Sequence, residues 1–223
     1  MLSIIIPVLN EEKTISACLE NLSALSGDFE VVFADGGSAD GTVEQIAGRH
    51  RVVPCPKGRA KQMNHAAAQC KGDVLLFSHC DSRLPADAVQ EIEKVVGEGA
   101  NFGCFHISFD LKHPFMTICT FQSNRRVWMN GVAFGDQGMF FTRNAFEEAG
   151  GWPDLPIMED YEMSRKLRDK YWPVLLPGRI LTSARRYREG GMLPTMWKMF
   201  RLRCMYRRGE DINEIARLYR DIR

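Results

Sequence analysis

Short apolar runs alternate with amphipathic segments through the first half of the chain. The runs are rich in β-branched and aromatic residues and too short for most helices, so they predict buried strands at residues 4–6, 29–34, 52–53 and 74–77. Between them, apolar residues recur at helical spacing, which predicts helices at residues 15–22, 42–49, 59–70 and 88–96. The repeated order of strand, loop and helix indicates βαβ units and a parallel sheet.

The pattern changes after residue 99. Polar and apolar residues alternate from Phe105, which predicts a half-exposed strand over residues 102–109. Further elements are predicted as helices at 117–129 and from 159, and as strands at 136–142 and 172–176. Because the regular alternation of strands and helices is lost, we predict that this half is an α+β extension built on the first.

The C-terminal part of the chain is basic and predicts an amphipathic helix at residues 192–208, followed by further helix. One face of the predicted helix carries Leu193, Met196, Trp197, Phe200 and Cys204. Lysines and arginines surround that face, which suits the surface of an anionic membrane. Packing on the chain itself or on a second subunit is the commoner arrangement and the one we favour. Peripheral membrane contact and a homodimer both remain open at this point.

No repeat, low-complexity tract or clear boundary divides the chain. We therefore expect one domain over residues 1–223, with a first half at 1–99, a second half at 100–190 and a C-terminal helical segment at 191–223.

Composition narrows the classes of protein to consider. The chain has 223 residues, 45% of them hydrophobic and 26% charged, as in ordinary globular proteins. A net charge of +1 gives no overall reason to expect a nucleic-acid partner. The 7 cysteines are scattered without a C-x-x-C pair, which argues against a zinc knuckle and against a secreted disulfide framework. The N-terminus lacks the features of a signal peptide and no apolar run is long enough for a membrane span, so we expect a cytoplasmic protein, with membrane contact at most peripheral.

A polar cluster follows the predicted strand at 74–77. In extended backbone, His79 and Asp81 would face one side and Cys80 the other. The carboxyl edge of an open parallel sheet is where ligands bind, and a carboxylate there can hold a divalent cation together with substrate phosphates. A helix-capping Asp81 beside a hydrogen-bonded His79 is an equally good interpretation of these residues alone. Pro85 is expected at the first position of the next helix, and Asn10 is expected to cap the first helix of the chain.

Several segments, taken in order, resemble the signatures of family-2 glycosyltransferases. They are residues 7–11 (PVLNE), 35–42 (DGGSADGT), Gly58-Arg59 with Asn64, 79–81 (HCD) and Glu159-Asp160. The segments at 58–60, 135–138 (GDQG), 156–160 (PIMED) and 182–186 (TSARR) resemble more narrowly a bacterial subgroup of small members associated with radical-SAM and selenium-domain gene neighbourhoods. The resemblance runs from residue 4 to about residue 187. It implies the GT-A fold, an α/β, Rossmann-like nucleotide-binding mixed sheet flanked by helices, with an α+β acceptor region and C-terminal amphipathic helices.

The same resemblance implies an inverting, metal-dependent glycosyltransferase with a nucleotide-diphosphate sugar as donor and Mg²⁺ or Mn²⁺ as cofactor. Asp160 would be the general base and Asp81 would hold the metal. The residues implied in substrate binding are Pro7, Leu9 and Glu11 at the nucleoside, Asp35 at the base, Asp40 at the loop or pocket, Arg59 with Lys57 at the diphosphate, and Asn64 and Arg185 elsewhere in the site.

The sequence departs from the family pattern at His79, where an aspartate is usual. A neutral histidine can hydrogen-bond a ribose hydroxyl or ligate the metal, and both roles stay open. Other assignments have structural alternatives. Asp35 and Asp40 can be turn residues, Glu159 can hold an arginine or cap its helix instead of binding substrate, and Gln137 is expected to border the acceptor pocket. Trp128, Trp152 and Trp172 suit the core better than a sugar platform, with Trp152 the best candidate for stacking.

Two other functions compete with sugar transfer. A sugar nucleotidyltransferase would need a glycine-rich triphosphate loop directly after the first strand, where this chain has residues 7–11 instead. A non-catalytic module that binds a nucleotide sugar would show saturable donor binding without turnover. Neither the base and sugar of the donor nor the identity of the hydroxyl acceptor can be derived from the sequence.

Overall fold

The computed structural model of the chain describes residues 1–220, so the last three residues of the predicted segment 191–223 lie outside the described residues. One sheet contains the strands β1 (Leu2–Val8), β2 (Phe29–Asp35), β3 (Arg51–Pro54), β4 (Val74–Phe77), β5 (Phe102–Phe109), β6 (Met139–Thr142) and β7 (Val174–Thr182). The helices are α1 (Ile15–Ser23), α2 (Thr42–Ile46), α3 (Arg59–Ala67), α4 (Ala88–Gly97), α5 (Pro114–Asn130), α6 (Arg143–Glu148), α7 (Glu159–Arg168), α8 (Arg185–Gly190), α9 (Met192–Arg207) and α10 (Ile212–Arg220).

The sheet is mixed, with the strand order β3-β2-β1-β4-β6-β5-β7. The strands β1 to β4 are parallel, as the βαβ pattern predicted, whereas β6 runs antiparallel to both β4 and β5. β7 is parallel to β5 and forms the far edge. The expected α/β class with a mixed sheet flanked by helices is therefore confirmed.

Helices cover both faces of the sheet because its strands are apolar on both sides. Ile4 and Ile6 of β1 point into a core layer that α1 and α4 close with Leu19 and Ile92. Ile5, between them, points into the opposite layer, where α3, α6 and α7 pack. Full burial of one such side chain contributes about 1.5–3 kcal/mol, so the two layers fix which face of the sheet each helix covers.

Pro7 lies inside the central strand β1 without disturbing it. The carbonyl of Ile5 accepts a hydrogen bond from the backbone N–H of Ser78 at 3.1 Å, so Ile5 directs its backbone polar groups toward β4. Pro7, two residues further on, directs its own backbone to the same side. The last pair between these strands is Ile5 with Phe77, so the missing N–H of Pro7 leaves no ladder bond unmade. Beyond this point β4 ends, whereas β1 continues to Val8 at the carboxyl edge of the sheet.

Several element boundaries differ from the sequence predictions. The segment predicted as a strand from 136 begins as a 3₁₀ turn (Gly135–Gln137), and β6 starts only at Met139. The helix α4 begins at Ala88, so Pro85 lies in the preceding turn rather than at the first helical position. Strand β5, predicted as half-exposed, is buried along most of its length because it lies between β6 and β7.

Of the predicted apolar face of α9, Met196 packs on the chain, whereas three other residues do not. Leu193, Trp197 and Phe200 are exposed, and the buried residues of this helix are Thr195, Leu202 and Met205. The last two pack with α10 against the segment that precedes α7. Of the two packing arrangements that we favoured, packing on the chain itself is therefore not found for residues 193, 197 and 200, and packing on a second subunit stays a prediction. No helix within residues 1–220 combines the length and the apolar character needed to cross a bilayer.

Candidate active site

The loops that follow β1 and β2 are tied to each other at the carboxyl edge of the sheet. Asn10 has a left-handed backbone (φ 56°), its side-chain oxygen accepts from the N–H of Ala39 at 2.9 Å, and its own N–H donates to Ser38 Oγ at 3.0 Å. Asn10 is therefore a loop link and not the expected helix cap, which is Thr14. Gln62 of α3 adds a third tie, because its amide donates to the carbonyls of Val8 and Ala34.

The two acidic residues of the second loop organise its backbone. Asp35 is buried and accepts from the N–H groups of Gly37 and Ser38, and from Ser38 Oγ at 2.6 Å. Gly37 has a φ of +93°, a conformation that a residue with a side chain rarely adopts. Half-buried Asp40 accepts from the N–H of Glu12 and from Thr42, and the hydrogen bond from Thr42 lowers the pKa of Asp40.

The remaining residues predicted at the nucleoside lie at the end of β1. Pro7 and Leu9 are half-buried there. Glu11 is also half-buried, its carboxylate accepts from Thr14 Oγ1 at 2.6 Å, and its N–H donates to Thr42 Oγ1 at 2.7 Å. The structure therefore brings these three residues together with Asp35 at one edge of the sheet.

The chain turns as soon as β4 ends. The N–H of Ser82 donates to the carbonyl of His79 at 3.1 Å, so residues 79–82 form a turn and not the extended segment that the sequence predicted. Cys80 is buried, and its sulfur lies 3.7 Å from Thr14 Oγ1. Asp81 is exposed at the tip of the turn, and His79 is half-buried.

Asp160, at the start of α7, faces His79 across Gly135. The Asp160 carboxylate accepts from the N–H of Tyr161 at 2.7 Å and from the N–H of Gly135 at 2.9 Å, one bond to each oxygen. A Cβ added at Gly135 would lie 3.0 Å from His79 Nε2 and 3.6 Å from Asp160 Oδ2. The three residues line one small cavity of about 10 Å³, about the space of one water. Residues from β4 and α7, far apart in sequence, thus meet at one point.

Gly135→Ala is expected to abolish at least nine-tenths of any activity that needs His79 and Asp160 together. The new methyl group would occupy the space between them and displace the histidine ring by a few tenths of an ångström. The backbone of Gly135 is not in the left-handed region, so the protein should still fold. Thermal melting checks the fold and donor turnover checks the site. Gly97→Ala, where a Cβ meets nothing within 4 Å, is the control. Unchanged turnover would show that this gap is not used.

Arg59 and Glu159 form a buried ion pair beside the same cavity. Arg59 Nη1 lies 3.3 Å from Glu159 Oε1, and Glu159 is only 5% exposed. Burial alone would lower the pKa of Arg59, but the negative charges around it, that of Glu159 above all, outweigh burial and raise it. Glu159 therefore holds an arginine in the structure, which is one of the three roles considered for it.

Asp136 is a further carboxylate of this region that the sequence analysis did not single out. Burial raises its pKa, the charges of Asp160 and Asp81 raise it further, and those of Arg126 and Arg186 oppose the rise. Its Oδ1 is buried and has no hydrogen-bond partner within residues 1–220. In residues 135–138 (GDQG) the sequence analysis singled out Gln137. The acidic residue beside it, Asp136, was the feature that could have indicated a further site residue.

Three residues singled out in the sequence have protein partners in the structure. Gln137 is 0% exposed and accepts from Arg126 Nη2 at 2.7 Å, so it supports the site from behind and does not border a pocket. Asn64 exchanges two hydrogen bonds of 2.8 Å with the backbone of Trp152, which engages its amide in holding a loop. Trp152 is 2% exposed and packs against Phe77 and Phe141, so it is no platform for a sugar.

The other two tryptophans differ from expectation. Trp128 and Trp172, expected in the core, are exposed. Arg185 is exposed as well, at the start of α8. Arg186 is the residue of this pair whose charge acts on Asp136, and its guanidinium lies 4.8 Å from the ring centroid of Tyr219.

The residues at the end of β4 suit a cation that takes most of its ligands from substrate phosphates and water. In the described part of the chain, no group of three or more His, Cys, Asp and Glu side chains is placed to hold a metal ion. Asp81 nevertheless presents an exposed carboxylate, and His79 lies two residues before it. Mg²⁺ is commonly held by one or two carboxylates together with substrate phosphates and water, so this donor set fits such an ion.

Comparison with known proteins agrees with these features. The family model described as "Glycosyl transferase family 2" matches residues 3–150. A PGL/p-HBAD biosynthesis glycosyltransferase of Mycobacterium bovis is 35% identical over 160 residues, which cover 67% of this chain and 57% of that protein. A beta-monoglucosyldiacylglycerol synthase of Synechocystis is 23% identical over 190 residues, 74% of this chain and 40% of that protein. This chain thus spans little more than half the length of the mycobacterial relative.

Solved structures share the fold. The mannosyltransferase PcManGT of Pyrobaculum calidifontis, in complex with GDP-Man and Mn²⁺, has a TM-score of 0.64 at 20% identity, covering 90% of this chain and 64% of that one. S. aureus TarS, in complex with UDP-GlcNAc, has a TM-score of 0.61 at 18% identity, covering 82% of this chain and 58% of that one. The sheet and its flanking helices therefore form the GT-A fold expected from the motifs.

Proposed function

The chain belongs to glycosyl transferase family 2, and on that premise we propose that it moves a sugar from a nucleotide-diphosphate donor to a hydroxyl acceptor, with inversion and with help from a divalent cation. The observation that carries the proposal is the meeting of His79 and Asp160 across Gly135, with Arg59 beside them. An anion-binding side and a base side thus adjoin each other at the carboxyl edge of the sheet. The narrower resemblance to a radical-SAM-associated subgroup stays a prediction.

The donor side lies at the ends of β1, β2 and β4. We assign the nucleoside to the edge formed by Pro7, Leu9, Glu11 and Asp35, where the cross-tied loops hold the backbone in place. Asp81, with His79, would hold the cation, which supplies positive charge to the departing diphosphate when bound. Arg59 can add a cationic donor near the same oxygens. Because Glu159 fixes the direction of Arg59, that donor is already oriented.

The acceptor side is assigned to Asp160. An alcohol is a poor nucleophile until a base takes its proton, and the Asp160 carboxylate keeps a free lone pair on each oxygen beside its two N–H bonds. The acceptor oxygen forms a bond to the anomeric carbon while the bond from that carbon to the phosphate oxygen breaks. The diphosphate leaves with the electron pair, and the acceptor proton passes to Asp160. Attack opposite the leaving group inverts the anomeric carbon.

Asp81→Asn is expected to weaken Mn²⁺-dependent donor binding by about 10- to 100-fold, the effect of losing one charged contact of 1.5–3 kcal/mol. A thermal-shift panel of GDP-mannose, UDP-glucose and UDP-GlcNAc, each with and without Mn²⁺, measures it, because a bound ligand raises the melting temperature. Asp87→Asn, an exposed acid after the same strand, is the control. Donor binding that is equally strong in both variants would remove Asp81 from the site. Saturable binding with no hydrolysis or transfer would instead identify a non-catalytic module.

A further inference from the structure

A second and much larger cavity lies beside the candidate active site. It is a groove of about 990 Å³ between α5 and α9, closed at one end by residues of α7. The predicted site does not include it, because its two main walls lie about 70 residues apart in the sequence. Its size is that of a site for a substrate of considerable length.

Arginines dominate the charge of the groove. Five of them line it, Arg126, Arg165, Arg168, Arg203 and Arg207, against one acid, Asp169. Arg165 and Arg168 have carboxylate neighbours, at 3.5 and 3.7 Å. Arg126 and Arg203 have no carboxylate within 4 Å in the described part of the chain, although burial lowers the pKa of both, that of Arg126 to about 10. Guanidinium groups withdrawn from water in this way are stabilised by a bound anion.

The mouth of the groove is apolar. Met129, Trp172 and Phe200 line it and remain 49%, 55% and 48% exposed. Further exposed apolar side chains continue from it along both helices: Ile118, Phe121 and Trp128 on α5, and Leu193 and Trp197 on α9. An apolar surface of this extent is unusual on a soluble monomer and marks a site for an apolar partner.

The groove reaches Asp160 through one short turn. Arg126 lies over the ring of Phe134, 3.9 Å from its centroid, and donates to Gln137. Gly135, between these two residues, donates its N–H to Asp160. Tyr161, the next residue of α7, lines the groove. A molecule whose anionic group meets Arg126 and Arg203 would therefore have its neighbouring atoms near the proposed base.

We propose that this groove is the acceptor site, and that the acceptor is an anionic lipid whose headgroup carries a free hydroxyl. The inference rests on the proposed function for the reaction, but not for binding. The arginines would hold the headgroup anion, the hydroxyl would reach Asp160, and the chains would leave across Met129, Trp172 and Phe200. Charge decides against a second copy of the chain as the occupant, because a two-fold contact would set one cluster of arginines against its twin.

Binding of dihexanoyl phosphatidylglycerol, below its micellar concentration, tests the proposal by tryptophan fluorescence without any donor present. Trp172 in the groove is the reporter. We expect saturable binding, at least about 10-fold tighter than that of glycerol phosphate, which lacks the chains, or of dihexanoyl phosphatidylcholine, which lacks net charge and hydroxyl. The proposal would be overturned if phosphatidylglycerol did not bind. It would also be overturned if phosphatidylglycerol bound less than tenfold more tightly than phosphatidylcholine or glycerol phosphate.

Matched variants locate the binding. Arg203→Gln should weaken it about 10- to 100-fold, whereas Arg201→Gln, exposed on the same helix outside the groove, should leave it unchanged. Phe200→Ser should weaken it as well. If Arg203→Gln lowers the melting temperature, exposed Arg207→Gln replaces it. Equal losses for Arg201 and Arg203 would indicate unspecific charge attraction and refute the site. A concentration-dependent dimer in sedimentation, lost in Phe200→Ser, would assign the face to a second copy instead.

The lipid-binding proposal can fail or succeed independently of the proposed reaction. The lipid-binding measurement needs neither donor nor cation, whereas the donor panel needs no acceptor. Lipid binding without donor binding would retain the groove assignment and refute the reaction. Donor binding and hydrolysis without lipid binding would do the reverse.

Discussion

Asp160→Asn is expected to lower sugar transfer by about 100- to 10,000-fold, the usual contribution of a general base, while donor binding with Mn²⁺ stays within about threefold. An amide cannot accept the acceptor proton. It also presents an NH₂ group to one of the two N–H groups, of Gly135 and Tyr161, that the carboxylate satisfies now. Single-turnover transfer separates the chemical step from binding, and thermal shift with GDP-mannose or UDP-glucose follows the donor.

Two controls separate a loss of the chemical step from a loss of stability or a general effect of the amide. The amide replacement itself costs stability, about 1–3 kcal/mol for a buried donor left unsatisfied, so the variant must be assayed well below its melting temperature. Asp87→Asn makes the same chemical change on the exposed surface and should behave as the unaltered protein. Transfer within tenfold of normal in Asp160→Asn would mean that another group, of which Asp136 is the nearest candidate by charge, takes the proton.

Arg59→Leu is expected to destabilise the protein by about 3 kcal/mol at neutral pH, at the lower end of the range for breaking a buried pair because Arg59 is 30% exposed on its side chain. Glu159 would stay buried without the guanidinium that now lies 3.3 Å from it, and its pKa would rise above the value of about 4.3 in the unfolded chain. The folded state would then bind more protons than the unfolded state above that pH. Stability must therefore fall as the pH rises from about 4.5 toward 7.

Urea unfolding at several pH values measures this effect, and the double variant provides the control. In Arg59→Leu/Glu159→Gln both charges of this pair are absent, so most of the lost stability should return and the pH dependence should disappear. A loss of 3 kcal/mol corresponds to about 6–12 °C in melting temperature for a chain of this length. A double variant as unstable as the single one would show that Arg59 contributes through its packing and not through the pair.

The first half of the fold was predictable because its information is local. Each of the strands β1 to β4 is a compact apolar run, and the order of elements alone indicates parallel neighbours. Helix ends were less predictable, since the cap of α1 is Thr14 and Asn10 is drawn away to Ser38 and Ala39, residues of a different loop. Such a bond depends on where two loops meet, which no window of sequence contains.

The site was predictable in its membership and less so in its bonds. Motifs in the right order identified Asp35, His79 and Asp160, and the structure places all three at the carboxyl edge of the sheet or across from it. Composition of a short segment does not reveal whether a polar side chain faces a ligand or its own backbone. Gln137 and Asn64 face protein groups. Trp152 lies in the core as expected, whereas Trp172 is exposed, because aromatic residues suit either a core or a surface groove.

The three-residue turn at Gly135–Gln137 limits how this scaffold can be retargeted. Its first residue holds Asp160 and its last holds Arg126. The wall of the groove and the position of the proposed base therefore depend on the same three-residue turn. Replacing α5, which carries Arg126, together with α9 by the helices of a relative would leave Gln137 without its arginine partner unless residues 134–138 were exchanged as well. The smallest exchangeable unit is therefore discontinuous in sequence, and it includes the turn that holds Asp160.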